Sequence, residues 1–364
     1  MPFDMNPYLD DILDNFEAGR CVILLGPNVP RDSQGRTLGE GLVEFAKDQV
    51  GFDLQPDMDG LFSFPSRRDQ SRFPTILKRY LLEHCEPAKV HQQVAELPAP
   101  LMISLTPDHL LQQAFQAKGL SSEFGFYNKK RPGDLNAAPS KEAPLLYNLF
   151  GSIFEPDSLI ATQDDLFTFL FAVLDRSNPL PAVVEQIVNQ ARLYLFVGFD
   201  FQQWYLKLLL RLLRLHEEPI ALTTEPLNGF TGPMRFFYEQ HFKMVFVPDQ
   251  LEAFVGEVHQ ACAQRGLLRQ KEADQPHRLF QSVREKVRED DLEEALDMLQ
   301  LNLETQPQQA GTYNAVLQLA GRYHGITRSL YKGVIAQDQA NVALAQIRDA
   351  ILALTQEIEA AHHV

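Results

Sequence analysis

The sequence predicts an α/β protein: a doubly wound, mostly parallel, Rossmann-like sheet followed by a small all-α helical domain. Short runs of β-branched and aliphatic residues, such as 21–25, lack the alternation of a half-exposed strand. Such runs are typical of strands that are buried on both faces of a parallel sheet. Amphipathic helical patterns separate these runs, as in βαβ units. Beyond residue 278 only helical patterns remain.

The elements follow from apolar periodicity and its interruptions. The predicted strands are 21–25, 101–105, 145–149, 193–197, 220–222 and 244–247. The predicted helices of the first part are 8–18, 38–50, 74–84, 90–97, 109–118, one beginning at Thr162, 181–189 and 203–215. Residues 51–73 look irregular and residues 119–142 look like a polar surface insertion. The sequence leaves open whether these two segments are lids or partner surfaces.

Turn-forming and helix-capping residues support several of these boundaries. Gly26 and Pro27 end the first strand because this pair cannot continue a ladder and must turn. Asp108 is placed to cap the helix that follows it. Thr162 begins a helix whose first turn contains two acids, an arrangement that the helix dipole favours.

The chain divides into two predicted domains. Residues 1–268 form the α/β domain, and residues 269–278 are a polar run without periodicity, which is typical of a linker. Residues 279–364 form the helical domain, with predicted helices 279–287, 291–303, 311–323 and 337–360. A small helical domain at this position is typical of an interaction module.

Composition excludes several classes of protein. The 364 residues have a formal net charge of −15, which argues against a protein that mainly binds nucleic acid or an anionic membrane. The 3 cysteines are far apart in sequence, so neither a zinc site nor a disulfide framework is expected. We therefore expect no metal and a reducing, cytoplasmic location. The N-terminus lacks the pattern of a signal peptide, and run 204–215 is too short and too charged to span a bilayer.

The strand ends occur in a recognisable order. Residues 22–30 resemble the opening strand and Gly-Ala-Gly phosphate loop of the SIR2-like family, the sirtuin-type NAD-binding fold used by many bacterial defence proteins. Residues 91–115 are similar to the segment that holds the family's Thr-Thr-Asn-Tyr-Asp-x-Leu-Leu motif. Residues 146–152 (LYNLFGS) resemble its Lys-Leu-His-Gly-Ser motif, and residues 195–200 (LFVGFD) its Phe-Ile-Gly-Tyr-Ser strand. The likeness covers about residues 8–262.

The helical tail is similar to an effector-associated domain. Residues 291–296 (DLEEAL) and residues 330–335, which precede a long amphipathic helix, carry this resemblance. It implies a homotypic adaptor, residues 279–364, that pairs an effector with its sensor through a protein partner. The SIR2-like resemblance also implies a homo-oligomer.

NAD cleavage in this fold has clear chemical requirements. Glycines let the backbone approach the pyrophosphate. In the family, the motif Asn orients the nicotinamide ribose or a water, and the motif His acts as the base or contacts a ribose hydroxyl.

This sequence departs from the family at each of these positions. Pro27 has no N–H for a phosphate, and Asn28 adds bulk where a bare backbone is wanted. Thr106 stands at the motif Asn position and Phe150 at the motif His position, while Asp108 is retained. Phenylalanine cannot accept a proton. The departures together predict a pseudoenzyme. A deacetylase is also excluded, because the four-cysteine zinc module of those enzymes is absent from this sequence.

Other residues offer weaker alternatives. His109 is an outside candidate for a relocated base, against a simpler role at the start of a helix. Gly26, Asn28, Ser152 and Gly198 are the candidate contacts for residual binding of NAD or ADP-ribose.

Asp200 and the basic run 129–131 each have both a ligand-binding and a purely structural interpretation. Asp200 follows a strand where ribose-binding acids occur, and it equally suits a helix N-cap. The run Lys129-Lys130-Arg131 is either a phosphate clamp or a solvated loop.

Three functions are compatible with these residues. The first is a non-catalytic SIR2-like scaffold or nucleotide sensor that acts through the adaptor tail in prokaryotic antiphage defence. The second is an active NAD glycohydrolase that depletes NAD when the tail is engaged. The third is a degenerate nucleotide-binding protein unrelated to defence.

Overall fold

Parallel strands form the central sheet of the protein. The computed structural model describes residues 6–48, 52–57, 59–130, 135, 139–213, 215, 220–224, 230–248, 250–270, 280, 283–284, 286–288, 291–304, 310–331 and 334–362. The chain divides into two compact units, Met1–Lys271 and Glu272–Val364.

The described part of the first unit contains nine strands and ten α-helices. The strands are β1 (Cys21–Leu25), β2 (Gln55–Pro56), β3 (Phe62–Ser63), β4 (Leu101–Ser104), β5 (Glu123–Phe126), β6 (Leu145–Asn148), β7 (Leu193–Val197), β8 (Ile220–Thr224) and β9 (Met244–Val247). The helices are α1 (Asn6–Glu17), α2 (Leu38–Lys47), α3 (Arg67–His84), α4 (Lys89–Glu96), α5 (Leu110–Lys118), α6 (Gln163–Leu174), α7 (Ala182–Gln190), α8 (Trp204–Leu212), α9 (Gly232–Phe242) and α10 (Leu251–Gln264).

The main sheet has the order β5-β6-β4-β1-β7-β8-β9. All of its strand pairs are parallel. The strands from β4 to β6 lie on one side of β1, and the chain then crosses to β7 on its other side. Strand β1 therefore lies at a topological switch point. In open α/β sheets ligands bind beyond the carboxyl ends of the strands at such a point. The predicted fold class, a doubly wound parallel sheet followed by a helical region, is confirmed.

The apolar run of β1 is explained by burial on both faces. Val22 and Leu24 belong to one hydrophobic core, while Cys21, Ile23 and Leu25 belong to the other. All five side chains are buried. Successive side chains of a strand point to opposite faces. Both faces of β1 are therefore covered, and no polar alternation is expected.

Two predictions for connecting segments are wrong. Helix α3 begins at Arg67, well before Pro74, because Ser66 caps it by accepting the Asp69 N–H at 3.1 Å. The proline suggested a start, but the helix accommodates it in its interior. The rest of segment 51–73 includes the antiparallel pair β2–β3. Segment 119–142 contributes β5, which pairs in parallel with β6 at the edge of the main sheet.

The described part of the second unit contains three long helices. These are α11 (Leu292–Glu304), α12 (Ala310–Tyr331) and α13 (Gln337–His362). Their core includes Leu296, Leu299, Val316, Ile347 and Ile351. The predicted helix 311–323 was too short. It continues through Gly325 because Ile326, in the next turn, packs against this core. The predicted helix 279–287 lies only partly within the described residues.

The described helices and side chains also bear on membrane insertion, disulfide bonding and metal binding. Among the described residues, no helix is both long and apolar enough to cross a bilayer. All three cysteines are buried free thiols. No group of His, Cys, Asp and Glu side chains in the described ranges is arranged to hold a metal ion.

Arg269, the first residue of the predicted linker, is buried in the first unit. Its guanidinium donates hydrogen bonds to the carbonyl oxygens of Lys141 (2.8 Å), Ala99 (3.1 Å) and Ala95. It also lies over the ring of Phe115 at 5.1 Å. Burial lowers the pKa of Arg269. The first unit therefore extends at least through Arg269, and residues 271–278 of the predicted linker lie outside the described residues.

We expect Arg269→Ala to lower the free energy of unfolding of the first unit by about 3 kcal/mol, because three buried carbonyls lose their donor. The matched control is Arg265→Ala. Arg265 forms an ion pair with Asp14 at 2.7 Å on the surface, and its loss should cost less than about 1 kcal/mol. The free energy of unfolding of both variants is measured by urea unfolding, with the fluorescence of Trp204, the single tryptophan of the chain, as the signal. Equal effects of the two substitutions would contradict this role for Arg269.

Candidate functional site

The loops after β1, β4, β6 and β7 meet at the carboxyl edge of the sheet. Two of them are joined directly, because the Asn28 N–H donates to the Gly198 carbonyl at 3.1 Å. The other two are joined by Asn148, whose Nδ2 donates to the Asp108 carbonyl at 2.7 Å. The fold therefore places the candidate residues of all four loops at one edge.

The loop after β1 uses its backbone donors internally. The Gly26 N–H donates to the Val197 carbonyl at 2.8 Å, and the Val29 N–H donates to the Gly26 carbonyl at 3.1 Å. The Asn28 N–H is bonded to Gly198, and Pro27 has no N–H. A pyrophosphate is normally held by free backbone N–H groups. Loop residues 26–29 present none in this arrangement.

The two glycines of the site explain how closely these loops approach. A Cβ atom on Gly26 would lie 2.4 Å from the Gly198 carbonyl oxygen. Gly198 has a φ of +73°, and a Cβ there would lie 2.5 Å from Cγ2 of Val29. Both glycines therefore allow one loop to pack on the other, and the space beside Gly26 is filled by protein backbone.

The loop after β4 is also internally bonded. Thr106 Oγ1 and Ser104 Oγ lie 2.8 Å apart in a hydrogen bond, and the Thr106 N–H donates to Ser104 Oγ at 3.1 Å. Asp108 Oδ1 accepts the Leu110 N–H at 2.9 Å at the start of α5. Its other oxygen, Oδ2, is buried and has no hydrogen-bond partner among the described residues.

A small internal cavity lies beside Asp108. Its volume is about 10 Å³, which is room for no more than a single water molecule. The polar lining includes Asp108, Thr106, Asn148 and His91. His91 is buried, and its Nδ1 accepts the Ala88 N–H at 3.1 Å. The cavity is far too small for a nicotinamide ring.

Asn148 is a residue that the sequence analysis missed, whereas His91, which the sequence suggested to be a surface or cap residue rather than a relocated base, is buried. The sequence contains a weak signal for Asn148, an amide at the end of an otherwise apolar strand. His91 has none, since a single histidine in a helical pattern is uninformative.

His109 forms a hydrogen-bonded chain with Ser152 and Gln112. Its Nε2 lies 2.8 Å from Ser152 Oγ, and its Nδ1 lies 2.8 Å from Gln112 Oε1. Because Gln112 Oε1 can only accept, Nδ1 carries the proton and Nε2 accepts from the Ser152 hydroxyl. This resembles the contact between a nucleophile and its base. However, Ser152 is buried, and its oxygen also accepts the Phe154 N–H at 3.2 Å.

Burial lowers the pKa of both histidines at this edge. For His109 the effect is partly opposed by the hydrogen bond to Gln112 and by the charge of Asp108. For His91 it is opposed by the charge of Asp108. Both imidazoles therefore lose their proton more readily in the folded protein than in the unfolded chain.

Phe150 is part of the hydrophobic core. Its ring centroid lies 6.0 Å from that of Tyr205 and 6.4 Å from that of Phe169. The side chain is buried. At the position where the resemblance places an imidazole, this chain has a ring that packs between α6 and α8.

The charged candidates have local partners. Asp200 Oδ1 accepts the Gln202 N–H at 3.2 Å, but the N-cap of α8 is Gln203, so the N-cap prediction for Asp200 is wrong. Lys129 Nζ donates to Asp165 Oδ1 at 2.6 Å.

The next basic residue is paired in the same way. Lys130 forms an ion pair with Asp157, while Arg131 lies outside the described residues. Both described lysines of the basic run are thus held by acids.

Comparison with known families agrees with this architecture. The SIR2-like domain model matches residues 102–226, and the model of Effector-associated domain 11 matches residues 278–359. The two matched ranges agree with the two family resemblances found in the sequence. No curated protein matches it.

The SIR2-like match covers only part of the candidate site. It begins within β4, so it includes the positions from Thr106 to Asp200. Gly26 and Asn28 lie before the matched residues. Their assignment to the phosphate loop rests on the sequence pattern and on their place at the end of β1.

The lowered pKa values of His91 and His109 predict a pH dependence of stability. Because their pKa values are lowered in the folded state, the unfolded chain binds more protons below the ordinary value of 6.5. The free energy of unfolding should fall as the pH drops from about 7.5 through 6.5 to about 5.5. His109→Gln should reduce this fall, as measured by urea unfolding at both pH values. His324→Gln, at an exposed position of the second unit, is the control. An identical pH dependence for His109→Gln and the wild type would contradict the assignment.

Proposed function

We propose that the SIR2-like unit is a catalytically degenerate scaffold that acts through its effector-associated domain in prokaryotic antiphage defence. The burial of Phe150 between Phe169 and Tyr205 carries this proposal, since it leaves a hydrocarbon ring at the family's base position. A packed aromatic ring can neither accept a proton nor bond a ribose hydroxyl.

The residues at the sheet edge do not fit NAD in the described conformation. The amides of Gly26 and Asn28 are bonded to the β7 strand and its loop. The neighbouring cavity accommodates at most one water molecule. We therefore assign no chemical step to NAD. A nucleotide-sensing role would require the loop at Asn28 to separate from Gly198, and we rank it below the scaffold role.

The effector-associated domain supplies the proposed route of action. We propose that it binds a protein partner carrying a domain of the same kind, and that the SIR2-like unit contributes to a homo-oligomer. The buried free thiols of Cys21, Cys85 and Cys262 support a reducing, cytoplasmic location.

An active NAD glycohydrolase is the second candidate. The observation that favours it is the bonded pair His109–Ser152 close to the retained Asp108. A neutral imidazole at this edge is chemically able to act as a base. This candidate requires the Ser152 hydroxyl, which is buried, to become accessible on activation.

A binding experiment separates these candidates. Calorimetric titration of the full chain with NAD and with ADP-ribose, with nicotinamide followed by chromatography, should show neither binding nor nicotinamide release. The reason is that the donors of loop residues 26–29 are already used. The measurement is repeated with the effector-associated partner present, and His109→Ala is the matched variant. Nicotinamide release that His109→Ala abolishes would establish the glycohydrolase instead. Binding without release would support the sensing role.

Restoring the family residue should not restore activity. We expect Phe150→His to lower the free energy of unfolding by about 2 kcal/mol, because it buries a polar ring in an aromatic core. Nicotinamide release should stay absent. Phe154→His, at a half-exposed position a few residues along, is the control and should change stability little. Turnover by Phe150→His would show that the site is open and would contradict the scaffold role.

A further inference from the structure

The carboxylate of Asp108 has an acceptor oxygen that needs a donor. Asp108 is 7% exposed, and its Oδ1 accepts the Leu110 N–H at 2.9 Å. Its Oδ2 is buried and has no hydrogen-bond partner within the described part of the chain. A buried carboxylate oxygen without a donor lowers stability, because it has lost the water that solvates it in the unfolded chain. A hydrogen-bond donor at Oδ2 would remove this cost.

His91 has a ring nitrogen whose hydrogen is available in the same region. The residue is 2% exposed, and its Nδ1 accepts the Ala88 N–H at 3.1 Å. A ring nitrogen that accepts carries no hydrogen, so the hydrogen of the neutral imidazole is on Nε2. Burial lowers the pKa of His91 and the charge of Asp108 opposes this effect, as expected for two groups that lie near each other. His91 therefore has one N–H, on the nitrogen that does not bond to the start of α4.

Both side chains line the cavity of about 10 Å³ together with Asn148. The Nδ2 of Asn148 donates to the Asp108 carbonyl at 2.7 Å, which leaves its Oδ1 as an acceptor. These three side chains thus offer one donor and two acceptors. A cavity of this size holds one water molecule, and a buried water typically makes about three hydrogen bonds. The size and the polar groups of the cavity both match a single water.

Other small ligands fit this set of groups less well. A metal cation would face the positive end of the His91 N–H, which repels it. An anion would lie beside the Asp108 carboxylate, which repels it as well. A water molecule can accept from the first group and donate to the second.

We propose that this cavity is a binding site for one water molecule, which accepts from His91 Nε2–H and donates to Asp108 Oδ2 and Asn148 Oδ1. The water joins α4 to the loop after β4 and to β6. His91 is then a positioning residue that holds the Asp108 carboxylate through the water. The acid retained from the family motif is thereby used inside the protein. This inference is independent of the proposed scaffold role, because it involves neither a nucleotide nor a partner.

A crystal structure of the full chain, at a resolution that shows ordered water, tests the site directly. One peak of electron density is expected in the cavity, within about 3.2 Å of His91 Nε2, Asp108 Oδ2 and Asn148 Oδ1. A direct hydrogen bond between His91 and Asp108, without such a peak, would overturn the proposal. A peak at about 2.4 Å from the two oxygens would also overturn it, because that distance is typical of a bound cation.

A double-mutant cycle tests the bridge in solution and uses urea unfolding with the fluorescence of Trp204 as the signal. His91→Phe and Asp108→Asn should each raise the equilibrium constant of unfolding about tenfold, since each breaks the bridge. The effect of the double variant should be at least about fivefold smaller than the product of the two, because the bridge is lost only once. Circular dichroism verifies that all variants fold.

The control cycle combines His91→Phe with Asp165→Asn. Asp165 pairs with Lys129 at 2.6 Å and does not line the cavity, so these two effects should multiply. Effects that also multiply for His91→Phe with Asp108→Asn would overturn the shared water. The crystallographic result comes from the wild-type chain and does not depend on the stability of any variant.

Discussion

The hydrogen bond from Asn28 to Gly198 is the contact on which the character of this sheet edge depends. It joins the loops after β1 and β7, the two strands that meet at the switch point of the sheet. The joined loops satisfy the backbone groups that a phosphate would otherwise use. Gly26 and Gly198 make this contact possible because neither has a Cβ that would separate the two backbones. The same glycines that permit a ligand to approach in other dinucleotide folds here permit the protein to approach itself.

The neighbouring loops extend this closure into the interior. Phe150 contributes its ring to the core between α6 and α8, where an imidazole would be costly to bury. The polar residues that remain, among them Asp108, His91 and Asn148, bond mainly to backbone around a cavity the size of a water molecule. The polar groups of these loops are therefore used largely in contacts within the protein. A histidine–serine pair persists there, but the serine faces inward.

The outer surfaces and the second unit carry the features that suit interaction. Helix α6 contributes to both the core and the outer surface of the first unit. One of its sides packs on the core that contains Phe150, and the other exposes Phe167 and Phe171. The effector-associated domain adds a helical unit with a core of its own. The parallel sheet of the first unit is the framework on which its outer surfaces are held in place.

The sequence by itself determined six of the nine described strands, most helices and both family resemblances, because these depend on residues close together in the chain. The uninterrupted apolar run of β1 was sufficient to predict burial on both faces. Only the tertiary structure decided that β5 joins the sheet, that Arg269 is buried in the first unit and that Ser152 meets His109. It also decided that the amide of Asn28 is bonded to Gly198. Such partners are set by strand register and by the path of each loop, and residues so distant in sequence leave no local pattern that identifies them.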